Sequence, residues 1–67
     1  MKGEIIKFHR EGGWGLICTK DSKYFFHINN VINKKLILIE EGTKCEFELI
    51  PHYFHKNQSQ AGNITLK

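Results

Sequence analysis

Hydrophobic and polar residues alternate in several short stretches of the chain. In the stretch 43–50 (TKCEFELI), Cys45, Phe47 and Leu49 alternate with charged residues. A period of two is typical of a β-strand that has one face on a core and the other in water. We therefore predict a strand here that buries its cysteine, phenylalanine and leucine.

Five stretches have the length and composition of strands. They are rich in Ile, Phe, Tyr, Trp and Thr, which fit a pleated sheet, and short turn signals such as EGG, KDSK and EEG separate them. The predicted strands are 2–9, 13–19, 23–28, 43–50 and 60–66. The segment NVIN at 30–33 predicts a helical turn that begins a long connection.

Five short strands in one chain predict an all-β fold, a small antiparallel barrel. Closing the sheet removes the exposed edges that an open five-stranded sheet would leave. An SH3-like barrel has a similar number of strands, so the pattern leaves the type of barrel open. The 67 residues and the lack of a linker or repeat predict a single domain, residues 1–67.

The second and third predicted strands carry aromatic residues at alternating positions. If Ile17 points into the barrel, Trp14 and Leu16 point outward. If Phe26 points inward, the residues on either side of it, Phe25 and His27, point outward. The opposite phase would expose the isoleucine and bury the histidine, so we predict that the outward residues form one aromatic face.

The glycines beside Trp14 favour a flat ligand. Gly13 and Gly15 have no side chain, so a partner can lie close to the backbone there. Nucleobases are flat, and each base stacked on a protein ring contributes about 1 to 3 kcal/mol with little sequence preference. The face therefore predicts a general binder of single-stranded nucleic acid.

Three segments together resemble the bacterial cold-shock domain family: MKGEIIKFHREGGWGLI, YFFHI and QAGNITL. The family's opening reads approximately Lys-Gly-x-Val-Lys-Trp-Phe-Asn, and its two ribonucleoprotein motifs have the forms Lys-Gly-Phe-Gly-Phe-Ile and Val-Phe-Val-His-Phe. The match covers essentially the whole chain in the family's order. The resemblance implies a five-stranded antiparallel OB-fold barrel that stacks bases of single-stranded RNA or DNA, as a cold-shock-type RNA chaperone or expression regulator.

Ring-bearing binding positions of the family and nearby charges define the candidate interface. Its residues are Lys7, Phe8, His9, Arg10, Trp14, Leu16, Phe25, His27 and Ile28. Three of them, Lys7, Leu16 and Ile28, stand where the family usually has rings. His9 replaces the usual Asn, and Gly12 falls where the family has a Lys. Three absent rings at about 1 to 3 kcal/mol each predict weaker stacking than is usual for the family.

The charge of the chain favours an anionic partner. Ten basic and seven acidic side chains give a net charge of +3. Lys7 and Arg10 lie near the predicted face, and Lys20 and Lys23 lie in the neighbouring hairpin. Phosphate contacts at these residues predict binding that weakens as salt rises.

The sequence predicts a cytoplasmic protein without cofactors. It contains no apolar run of about 20 residues and no secretory signal, so no membrane association is expected. Cys18 and Cys45 are expected to be reduced thiols. His52 and His55 have a metal-like spacing, but lone cysteines on separate strands do not complete a zinc site, so no metal is predicted.

The sequence gives less support to two other classes of function. We predict no enzymatic activity, because the chain has no phosphate-binding glycine loop, paired carboxylates or nucleophile motif. The main rival is a protein-interaction module, in which Trp14, Leu16 and Ile28 form an apolar patch on a degenerate barrel.

In the loop after the fourth strand, Tyr53 and Phe54 are expected to cap the barrel rather than extend the face. A monomer is expected, with a strand-exchanged dimer through 29–41 as the alternative.

Overall fold

The computed structural model describes residues 1–34, 38–51 and 59–67. Five β-strands fill most of these residues: β1 (Lys2–His9), β2 (Trp14–Cys18), β3 (Lys23–His27), β4 (Lys44–Pro51) and β5 (Ser59–Leu66). Each end lies within one residue of its predicted position. A single 3-10 turn, Ile28–Asn30, follows β3 and begins two residues before the predicted helical turn. Within the described ranges, no helix is long and apolar enough to span a membrane.

The strands form a closed barrel in the order β1-β2-β3-β5-β4. This confirms the predicted all-β fold, and the barrel is OB-like. Four of the five neighbouring pairs are antiparallel, as predicted, whereas β3 and β5 run parallel and pair at Phe26 and Ala61. Strand directions cannot alternate all the way around a closed ring with an odd number of strands. One parallel junction is therefore required.

The core fills the inside of this barrel. Its buried side chains are Ile5, Ile17, Phe26, Val31, Ile39, Cys45, Phe47, Ala61, Ile64 and Leu66. The alternation predicted for β4 holds at Cys45 and Phe47, but Leu49 is 42% exposed and does not belong to the core. The register between β4 and β5 shifts just before Leu49, because Glu46 to Glu48 of β4 lies opposite Thr65 to Gly62 of β5. The extra residue is therefore in β5, and it disrupts the pairing next to the position at which Leu49 leaves the core.

A second register shift, in β1, determines which residues face the outside. Ile5 pairs with Ile17, but Lys7 pairs with Leu16, the next residue of β2. Ile6 is therefore an extra residue in β1, a β-bulge. Without the bulge, Lys7 would share the inward face of Ile5; with it, Lys7 lies on the same side as the outward Leu16.

Candidate nucleic-acid interface

The outer wall of β1, β2 and β3 carries two rows of side chains. The first row is His9, Trp14 and His27, and the second is Lys7, Leu16 and Phe25, each paired by register across the three strands. Lys7 and His9 are exposed, and the other four are half-buried. Their chain neighbours Ile17 and Phe26 are completely buried. The outward phase predicted for β2 and β3 is therefore the phase that the structure has.

Three rings of this wall lie next to one another: His9 and Trp14 from the first row and Phe25 from the second. These three rings together are called the ring row below. The imidazole and indole centroids are 5.4 Å apart with planes inclined by 8°. The indole and the Phe25 ring are 6.0 Å apart with planes inclined by 22°. Both separations lie within the usual range for interacting rings, so the wall has one continuous aromatic surface across three strands.

Gly12 holds this arrangement in place. Its backbone N–H donates a hydrogen bond of 2.9 Å to Nδ1 of His9. A Cβ atom at Gly12 would lie 2.6 Å from both Cδ1 and Nε1 of Trp14, so the indole occupies the space that a side chain would need. The sequence comparison marks Gly12 only as a position where the family has a lysine. Its position two residues before the only tryptophan was the available signal.

The two imidazoles on the wall have defined hydrogen-bonding roles. Nδ1 of His9 accepts from Gly12, and Nδ1 of His27 accepts from the backbone N–H of Asn29 at 3.2 Å. In each neutral ring the proton must therefore lie on Nε2. Each imidazole thus provides an N–H donor, which suits acceptor atoms on bases and phosphates.

The two cationic candidates lie over rings. Nζ of Lys7 is 5.5 Å from the centroid of the Trp14 ring. The Arg10 guanidinium lies 5.4 Å from the centroid of Phe8 and donates a 3.1 Å hydrogen bond to the carbonyl oxygen of Ile39. Cations over ring faces interact favourably with the π-electrons. Both positive charges are therefore held beside aromatic side chains.

These cations have no carboxylate partner among the residues that the structure describes. The ion pairs in those residues join Lys44 to Glu4 and Lys67 to Glu46, all four residues lying outside the two rows. The hydrogen bond to Glu4 and the charge of its carboxylate raise the pKa of the Lys44 ammonium. Positive charge at the wall is therefore not neutralised by these ion pairs.

Phe8 and Ile28 support the wall from the core side. Phe8 pairs with Gly15, and its ring lies 6.0 Å from that of Phe26, with planes 10° apart. Ile28 also packs against the core. The bulge in β1 explains why Phe8 faces the core, because it turns Lys7 outward and therefore the next residue inward. Of the nine candidates, six therefore form the two rows and Arg10 lies over the Phe8 ring. The remaining two, Phe8 and Ile28, pack against the interior.

The described residues contain no group of three or more His, Cys, Asp and Glu side chains that could hold a metal. Cys18 and Cys45 are both free thiols, the first half-buried and the second buried. His52, Tyr53, Phe54 and His55 lie outside the described residues, so the predictions made for them stay predictions.

Comparison with protein-family models found no match to this chain, and comparison with curated proteins found none either. The likeness to cold-shock domains rests on the motifs of the sequence.

Proposed function

We propose that this protein binds single-stranded nucleic acid, stacking bases on the ring row and placing phosphates near Lys7 and Arg10. One observation carries the proposal: three neighbouring rings lie beside Lys7 and Arg10, and neither cation forms an ion pair with a carboxylate among the described residues. Stacking contributes about 1 to 3 kcal/mol per base, whatever the base. Phosphate contacts add a contribution that falls as salt rises.

Single strands are the preferred form because their bases have exposed faces. In a duplex each base is stacked between its neighbours, and removing it from the stack costs a few kcal/mol. A protein that binds open strands better than duplexes shifts melting toward open strands by mass action. This is the activity of an RNA chaperone or an expression regulator, as the resemblance to cold-shock domains implies, and it needs no catalytic step.

The positions of the apolar side chains favour this function over a protein-interaction module. A protein-docking patch would need Trp14, Leu16 and Ile28 to present a continuous apolar area. Ile28 packs against the core instead. In the described part of the chain, the large hydrophobic residues that are exposed lie elsewhere: Met1, Ile32, Leu38 and Leu49.

Trp14 is the only tryptophan of the chain and gives a direct test. Its fluorescence is titrated with a short pyrimidine oligonucleotide, single-stranded or annealed to its complement, at low and physiological salt. We expect strong quenching by the single strand that weakens with salt, and little quenching by the duplex. Absence of quenching by the single strand at both salt concentrations would reject the proposal. Equal quenching by the duplex would reduce it to a purely electrostatic attraction.

A further inference from the structure

The wall that carries the ring row continues at its other end into an open groove. The groove has a volume of about 390 Å³, and its lining includes Lys2, Glu4, Ile6, Cys18, Lys20 and Lys44. It involves β1, the end of β2 and the hairpin that follows, together with the start of β4. Lys20 was expected from the sequence to contact phosphate, but none of the lining residues is one of the nine residues of the candidate interface.

The groove and the two rows lie on the same side of β2. Alternate residues of a strand share a face, so Cys18 lies on the side of Trp14 and Leu16. From Trp14 to Cys18 the strand rises by about 13 Å, at about 3.3 Å per residue. A single strand of nucleic acid that stacks on the ring row can therefore continue along β2 into the groove.

The charges of the groove complement a phosphodiester backbone. Three lysines lie around it, against the single carboxylate of Glu4, and that carboxylate is paired with Lys44. Lys2 and Lys20 are exposed, and neither takes part in an ion pair of the described residues. Between the lysines, Ile6 and Cys18 contribute half-buried, weakly polar surface. The combination of cationic rim and apolar lining suits successive nucleotides.

We infer that the groove is a second subsite for the same single strand, with phosphates near Lys2 and Lys20 and a sugar or base against Ile6 and Cys18. The inference rests on the proposed function, because the strand must first stack on the ring row. The groove adds a dependence on oligonucleotide length that the ring row alone does not have. Affinity should rise with length until the oligonucleotide covers both the ring row and the groove.

The chain contains a native reporter at each end of this wall. Trp14 reports the ring row through fluorescence. Cys18 reports the groove through its rate of alkylation, because it is half-buried whereas Cys45 is only 2% exposed. Mass spectrometry of the alkylated peptides assigns the modified thiol.

The test uses oligothymidylates of about 4 and about 12 nucleotides, near the two ends of the range of site sizes for an OB fold. Both should quench Trp14, but only the longer should slow the alkylation of Cys18. In the double variant Lys2→Ala/Lys20→Ala, the longer oligonucleotide should lose about two units of its salt slope, one for each phosphate contact, while the shorter keeps its slope. Lys34→Ala removes one exposed positive charge that does not line the groove, and it should leave both slopes unchanged.

The outcomes separate the inference from the proposed function. Quenching of Trp14 by both oligonucleotides, without protection of Cys18 and without an effect of the double variant, would overturn the groove and leave the ring row standing. If neither oligonucleotide quenches Trp14, the proposed function itself fails. A loss of about one unit of salt slope in Lys34→Ala would show a general charge effect and would also overturn the subsite.

Discussion

The imidazole of His9 lies parallel to the indole of Trp14, with ring centroids 5.4 Å apart and planes 8° apart. Gly12 donates its backbone N–H to Nδ1 of the same imidazole and leaves space for the indole. Residues at positions 9 and 12 therefore orient the ring at position 14 before any ligand arrives. A side chain ordered in advance avoids a cost of about 0.5 to 1.5 kcal/mol on binding.

We predict that each contact in this arrangement can be removed separately. His9→Asn keeps an acceptor for the Gly12 N–H but loses the ring, whereas His9→Phe keeps a ring and loses the acceptor. Gly12→Ala places a Cβ where the indole lies. Each change should lower the fluorescence anisotropy of Trp14 in the unbound protein. Gly12→Ala and His9→Phe keep three rings and should weaken oligonucleotide binding by about 2- to 12-fold, whereas His9→Asn also removes a ring of the ring row and should weaken it more.

His27→Asn is the matched control for these variants. His27 makes the same kind of Nδ1 hydrogen bond, to Asn29, but does not belong to the ring row. Its substitution should leave the anisotropy of Trp14 in the unbound protein unchanged. Unchanged anisotropy in all three variants at positions 9 and 12 would show that the indole is oriented by other contacts.

Truncation of two adjacent residues of β2 should affect different properties of the protein, mainly stability for Ile17 and mainly binding for Leu16. Ile17 is completely buried, so Ile17→Ala should lower the free energy of unfolding by about 2 to 5 kcal/mol. Leu16 lies on the outer wall, so Leu16→Ala should lower the free energy of unfolding by only about 1 kcal/mol. The same change should weaken oligonucleotide binding. Urea denaturation and the Trp14 titration measure the two effects. If Leu16→Ala proved the more destabilising, the assignment of faces would be reversed.

The strand positions and the faces of β2 and β3 could be predicted because these strands pair without interruption. Their register runs continuously from Trp14 with His27 to Cys18 with Lys23, so the period of two holds throughout. The alternation of Ile17 with Leu16 was therefore enough to place the aromatic face. Hydrophobic pattern is a direct record of burial where a strand is regular.

Register shifts explain what the sequence could not predict. Neither Gly nor Pro marks the bulge at Ile6, yet this bulge turns Phe8 toward the core and Lys7 toward the wall. The extra residue in β5 likewise disrupts the pairing beside the exposed Leu49 of β4. These irregularities are properties of the pairing between two strands. A pattern read along one strand does not contain them.

Phe25 tests the contribution of stacking. Phe25→Ala removes one end of the ring row and should weaken binding of a pyrimidine oligonucleotide by about 5- to 150-fold, the equivalent of about 1 to 3 kcal/mol. The thermal midpoint should change little, because the ring lies on the outer wall. Leu49→Ala, a similar truncation of an exposed residue on β4, should leave affinity unchanged. Equal losses in both variants would argue against a specific stacking surface.

Lys7 tests the balance between stacking and charge. Lys7→Ala removes the ammonium above Trp14 and should reduce the slope of log affinity against log salt by about 1. Lys7→Trp also removes the charge, but it adds a ring beside the indole, so it should bind more tightly than Lys7→Ala by up to about 3 kcal/mol. Titrations at several salt concentrations compare both variants with Lys34→Ala, which should keep the original slope. An unchanged slope in Lys7→Ala would exclude this residue from phosphate contact.

The thiol of Cys45 should make stability depend on pH in the alkaline range. Burial among core side chains raises the pKa of this thiol, whereas the unfolded chain releases the proton near pH 8.5. Above that pH the unfolded state gains stability by ionising, and the folded state does not follow until its own higher pKa is reached. The folded protein should therefore be most stable below about pH 8.5 and lose stability as the pH rises beyond it.

Cys45→Ala should have a lower free energy of unfolding at neutral pH, but this free energy should fall less on going to alkaline pH. Urea denaturation under reducing conditions measures both effects. The raised pKa of Lys44 affects both proteins alike, so an identical loss in wild type and variant would show that the buried thiol is not the cause.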